Sequence, residues 1–218
     1  PDSEKLGGPT SVQIKEMLES DWTDSGSPLY LNDNLSFTML EESNYFYNAR
    51  QFLLLLQEHD EFPLTRTGYI KRRIVKKLLK EMRWQEPYVE DLIKTRRHID
   101  ENEVWELFGL RLLLDVAGLS IEAGKKYILN KEMGWLIEEK NAGKLYQLLF
   151  STYFDEMNPG FFGTTLDLPM LQYSVPFILH RLVTLAQDWI PLEDFAEEAL
   201  LFSVKVELDM IYEEIEEA

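Results

Sequence analysis

Between Ile70 and Arg83 the stretch IKRRIVKKLLKEMR repeats its apolar residues at intervals of three and four, a spacing that only a helix gathers onto one side. Ile70, Ile74, Val75, Leu78, Leu79 and Met82 share one half of that helix. Arg72, Arg73, Lys76, Lys77, Lys80 and Arg83 share the other, with Lys71 outside the partition. Such a helix must lay its apolar half on other elements, so the chain has to fold by packing helices. Other segments supply partners of the same period. Residues 11–22 read as a short helix. Ser43 caps SNYFYNARQFLLLLQEHDEF, which Pro63 ends, and Thr65 is placed to cap the basic helix, running to about Met82. Residues 84–100 read as a linker or short helix around Pro87, and a helix follows Asp100 and stops at Gly118.

LSIEAGKKYILN, with AGKK between two β-compatible pieces, predicts a small hairpin. NKEMGWLIEEKN returns to helical spacing, and a helix opens at or near Gly143. Beyond the NPGFFG loop, Asp167 is a candidate cap, Pro169 suits a first turn, and Pro176 predicts a kink. From Pro191 a continuous stripe through Leu192, Phe195, Ala199, Val204, Leu208, Ile211 and Ile215 predicts one long acidic C-terminal helix. The expected fold class is mainly α: a winged-helix-like unit with one small β-hairpin, packed with a C-terminal helical bundle. Its expected divisions are an extension with a short helix (1–42), the winged-helix-like unit (43–140) and a helical region (141–218) continuous with it in one globular domain.

Charge is distributed unevenly. The chain carries 39 acidic and 22 basic side chains, a formal net charge of -17. Residues 66–97 hold eleven of those Lys and Arg, including Arg96 and Arg97, against Glu81, Glu86, Glu90 and Asp91. The window is therefore +7 and the remainder -24. Three readings of Lys71, Arg72, Arg73, Lys76, Lys77, Lys80, Arg83, Arg96 and Arg97 stay open. They form a solvated face, neutralised by acids such as the ten in residues 193–218; or a face for an acidic protein partner; or a surface that tracks phosphates.

Several chemistries are excluded or disfavoured. With no cysteine there is no thiolate nucleophile, cysteine-ligated zinc or disulfide. His59, His98 and His180 lie in no metal-ligand spacing, and no phosphate-cradling glycine motif or G-x-S-x-G occurs. His98 reads as loop surface. The acidic pairs Glu41-Glu42, Glu138-Glu139, Glu197-Glu198 and Glu213-Glu214 diverge by about 100° when helical, as solvated neighbours do. Phe161 and Phe162 read as anchors of their loop. PDSEKLGGPT lacks the basic region and apolar core of a secretory signal, and no apolar run reaches the ~20 residues that span a bilayer. These features predict a non-enzymatic cytoplasmic protein, without cofactor or membrane partner. Its expected partner is a protein, self or other, with weak nucleic-acid contact as the alternative.

Leu64, Thr65, Gly68, Tyr69 and Ile70, the segment from Asn102 to Leu119, and the Gly124-Lys125-Lys126-Tyr127 turn together resemble an uncharacterised bacterial family. That family is similar to a plasmid-borne open-reading-frame-three protein. The resemblance covers roughly residues 40–160 and implies a winged-helix-like core. It brings no catalytic residues. In a winged helix the third helix reads bases. Here that helix offers Glu101, Glu103, Glu106 and Asp115 with Arg111 as its only cation, so any DNA contact would run through phosphates at the basic second helix.

Overall fold

A computed structural model describes residues 9–84, 87–157, 168–185 and 187–216. Asp167, Phe161 and Phe162 lie outside the described residues. The chain divides into two compact units, residues 32–157 and residues 1–31 with 158–218. Helices Phe37–Leu40 and Ala142–Ser151 pack on each other inside the larger unit.

In the larger unit the order is α2 (Phe37–Leu40), α3 (Asn44–His59), β1 (Phe62–Pro63), α4 (Arg72–Glu81), α5 (Pro87–Thr95), a 3-10 turn at Glu101–Glu103, α6 (Trp105–Val116), β2 (Ser120–Ala123), β3 (Lys126–Leu129) and α7 (Ala142–Ser151). The chain is mainly helical, as expected. Ser43 caps α3 by accepting from the Phe46 N–H. The predicted hairpin is β2–β3, turned at Gly124, whose φ of 66° suits glycine. It gains a third strand that periodicity did not announce. β1 pairs with β3 through Phe62 opposite Tyr127, in the order β1-β3-β2. β1 sits at the edge, where Pro63, which has no N–H to donate, leaves no bond to β3 unmade.

The core lies between α3, α4, α6 and this sheet. Phe52 of α3 meets Phe62 at 5.6 Å and Tyr127 at 5.9 Å, both nearly edge-on, and all three side chains are fully buried. Fully burying rings of this kind stabilises by about 1.5–3 kcal/mol each. All six apolar positions of the basic helix are buried. Thr65 does not cap that helix. Its Oγ1 accepts from the Tyr69 N–H and shapes the turn closed by Gly68 (φ 82°), while Lys71 takes the N-cap position without a side-chain bond. Residues 131–141, read as helical, form two short 3-10 turns instead.

The second unit comprises α1 (Ser11–Leu18), α8 (Pro169–Tyr173), α9 (Val175–Leu185), α10 (Leu192–Ala199) and α11 (Phe202–Glu216). α9 receives α1 and α10, and α8 receives α11. The predicted kink is a break at Ser174, which places Pro176 in the first turn of α9, where its missing N–H is no loss. The single long C-terminal helix is also divided. Leu200 is extended (φ -89°, ψ 128°), separating α10 from α11. No proline or glycine marks that break in the sequence, and the apolar stripe runs across it.

Gly143, in the first turn of α7, lets the chain cross at Asp33. A Cβ there would stand 2.1 Å from the Asp33 carbonyl oxygen. Gly143→Ala is expected to lower stability by about 1–3 kcal/mol or more, read as a reduced midpoint in chemical denaturation.

Candidate functional site: a cationic cleft beside a buried ion pair

The basic helix is held at both ends before its charges are considered. At its entry, the Ile70 N–H donates to Glu101 Oε2 at 2.6 Å, and the Lys71 N–H donates to the Pro63 carbonyl at 3.0 Å. Just past its exit, Asn48 of α3 bridges Arg83 twice: its amide donates to the Arg83 carbonyl (2.7 Å), and its oxygen accepts the Arg83 N–H (2.8 Å). The Trp84 indole donates to the Leu79 carbonyl at 2.9 Å, satisfying an acceptor of the last turn.

Glu101 is fully buried and its counter-ion is Arg111 of α6, 2.9 Å away and itself nearly buried. Arg111 also donates to the Gly68 carbonyl (3.0 Å), lies over the Tyr127 ring (4.9 Å), and faces Glu122 at 3.7 Å and Asp115 at 4.0 Å. Ser120 Oγ donates to Asp115 (3.0 Å) and lies 2.6 Å from the Tyr127 hydroxyl, which points at the Arg111 carbonyl (3.2 Å). Burial pushes the Glu101 carboxyl above its ordinary range, against the pull of Arg111 and the Ile70 N–H. Burial likewise raises Asp115 and Tyr127. The group is enclosed by packing and belongs to the framework.

The cations lie elsewhere, in solvent. Arg72 forks onto Asp100 with bonds of 2.6 and 2.7 Å, and that pairing holds the carboxyl below its usual range. Arg96 pairs with Glu103. Lys77 turns to Glu58 (3.3 Å) and His59 Nε2 (2.7 Å). Arg83 stacks on Tyr47 at 3.6 Å and donates to the Glu41 carbonyl. Lys71, Arg73, Lys76, Lys80 and Arg97 are exposed, and their side chains have no hydrogen-bond or ion-pair partner among the described residues. The first turn of α4 contains Arg72 and Arg73 and no acid, an arrangement opposed to the positive N-terminal end of a helix dipole.

Arg72, Arg73, Lys76 and Lys80 of α4 face Arg96, Arg97 and His98 across a cleft of about 360 Å³, floored by Leu79, Ile93 and Ile99. Six of the nine predicted cations are thus brought together, while Lys71, Lys77 and Arg83 point away from the lining. His98, read as plain loop surface, lines it too. A second, larger groove of about 1180 Å³ runs between α3, the hairpin and residues 130–138, with Leu54, Ile128 and the exposed Trp135 and Ile121 on its walls. Among the described residues no group of three or more His, Asp or Glu side chains is placed to hold a metal ion, and no helix is long and apolar enough to cross a membrane.

Every part of the cleft and of the buried ion pair falls inside one stretch of the chain that matches a family model. Residues 41–142 match the Y4jL N-terminal domain family. The match spans a little under half of the chain, from the turn before α3 to the start of α7. No curated protein and no solved structure matches the chain. The Y4jL-like segment therefore carries the framework and the cationic cleft together.

Two replacements test the framework. Arg111→Met strands the buried Glu101 without its counter-ion and is expected to cost about 3–5 kcal/mol near neutral pH. Glu101 has a folded pKa raised above its unfolded value, more so without Arg111. The variant is therefore most stable below the ordinary glutamate range and loses stability as pH rises through the raised value. Denaturation at a series of pH values should show the deficit from wild type narrowing toward acid. Asn48→Ala leaves both backbone groups of Arg83 unpaired, with an expected loss of about 2–3 kcal/mol by the same measurement.

Proposed function

We propose that this is a non-enzymatic protein-interaction protein, in which a winged-helix-like unit is joined to a helical unit that docks a protein partner. The first part rests on element order. A helix, a short strand, the basic helix, the α6 helix and a hairpin follow one another, with the first strand beside the last, as in winged-helix units. α5 is an additional helix between the second and third helices of that scheme. α6 occupies the base-reading position but buries Leu107, Leu110, Arg111, Leu113 and Leu114, and its polar positions include Glu106 and Asp115. Such a helix suits packing better than a DNA groove.

The observation that carries the docking reading is the surface of α9–α11. Val183, Leu192, Phe202 and Met210 are 68%, 78%, 80% and 56% exposed, and Trp189, between α9 and α10, is wholly exposed. Large apolar side chains exposed in one small unit and interspersed with acids support reading this surface as one for association. The acids set the conditions: like-charged surfaces repel, so association of two copies strengthens as salt screens the repulsion. A second reading, contact with nucleic-acid phosphates, is favoured by the unpartnered cations of α4 and by Arg97.

Light scattering across a dilution series checks the first reading. Wild type is expected to self-associate, more at higher salt, and Val183→Glu combined with Leu192→Glu and Phe202→Glu to abolish this. Each exposed replacement should change stability by no more than about 0.5 kcal/mol. Monomeric wild type at every salt concentration, with dye binding to apolar surface equal to that of the triple variant, would remove the docking reading.

A further inference from the structure

We propose that the cleft between α4 and residues 93–99 is a binding pocket for a small phosphorylated ligand of pyrophosphate-like charge on a compact apolar body. Among the described residues its lining joins six cationic side chains to His98 and three aliphatic residues and includes no carboxylate. In a chain with 39 acids and 22 bases, a cleft left to self-neutralise would have acids among its walls. The two carboxylates nearest in the network, Asp100 and Glu103, are outside the lining and grip Arg72 and Arg96. They orient those guanidinium groups and leave Arg73, Lys76, Lys80 and Arg97 for a guest.

The composition of the walls selects the ligand class. Two of the four cations left for a guest, Arg73 and Arg97, are arginines, whose planar fork matches phosphate oxygens two at a time. A phosphoryl group brings about two negative charges, so a diphosphate engages several facing cations where a carboxylate engages one or two. The volume lies at the small end of the roughly 300–1,000 Å³ span of small-molecule sites. Among the described residues no aromatic side chain lines the cleft, so these walls offer no stacking platform of the kind found in single-stranded nucleic-acid grooves. Leu79, Ile93 and Ile99 offer an apolar floor instead. α4 is fixed at both ends by Glu101 and Asn48, so the backbone that carries its row of donors needs little ordering on binding.

The inference goes beyond the docking reading and fails separately from it, because Val183, Leu192 and Phe202 belong to the other unit. The test is titration calorimetry of the full chain with inorganic pyrophosphate at fixed ionic strength, alongside succinate and a duplex oligonucleotide. Pyrophosphate is expected to bind saturably, one per chain, to raise the thermal midpoint, and to outcompete succinate. Arg73→Gln with Lys76→Gln, and separately Arg97→Gln, should each weaken it about tenfold or more. Lys77→Gln, on the same helix but outside the cleft, should leave it unchanged. Three results overturn the proposal: pyrophosphate binding no tighter than succinate; equal weakening by Lys77→Gln, which would signal a diffuse field; or duplex binding that pyrophosphate does not displace, which would mark the face as macromolecular.

Discussion

The contact between Glu101 and Arg111 is the joint on which the larger unit depends. A carboxylate removed from water is costly unless it is paired and hydrogen-bonded, and Glu101 meets both conditions through segments distant in sequence. It takes the N–H of Ile70 at the entrance to α4 and the guanidinium of Arg111 in α6. Arg111 in turn reaches the Gly68 carbonyl and covers Tyr127 of β3. One ion pair thus fixes the turn before α4, the start of α6 and the hairpin relative to each other. Replacing such a pair by matched apolar residues is often harmless, whereas losing one partner is not. What the pair supplies here is registration of these segments.

That registration determines where the charges go. α4 can lay Ile74, Val75, Leu78 and Leu79 on the core only in one rotation about its axis, and this aims its cationic half outward. Residues 96–99 then return beside it, bound through Asp100 to Arg72 and through Glu103 to Arg96. The acids that follow the cationic run serve as anchors for two of its members. Repulsion among the remaining cations stays in place, in a protein whose overall field repels anions. A local positive cleft of this kind draws a guest only at short range and responds steeply to salt.

The sequence showed which face of α4 is buried, because a 3.6-residue period and a sharp charge partition point the same way. It did not show which cations converge, since that depends on how the chain returns after α5. Lys77 and Arg83 share the wheel with Arg73 but are drawn off by His59, Glu58 and Tyr47. Glu101 read as surface acid at a helix start. The available signal was Arg111, a lone cation within LFGLRLLL, which needs a buried counter-ion if that helix packs on both sides. Asn48 was equally silent, as an amide among the polar residues of an amphipathic helix. The division between α10 and α11 escaped because the apolar stripe continues through Leu200 with no helix breaker.

The small sheet limits how this protein can meet another chain. Its first edge, β1, is two residues long and one is a proline; its other edge, β2, is four residues and carries Glu122. An incoming strand would find too few backbone donors and acceptors to zip against, and short or charged edges are what keep sheets from extending between molecules. The surfaces this unit can present are thereby side chains on helices and in clefts. Replacing them one at a time leaves the backbone edges as poor a template for aggregation as before.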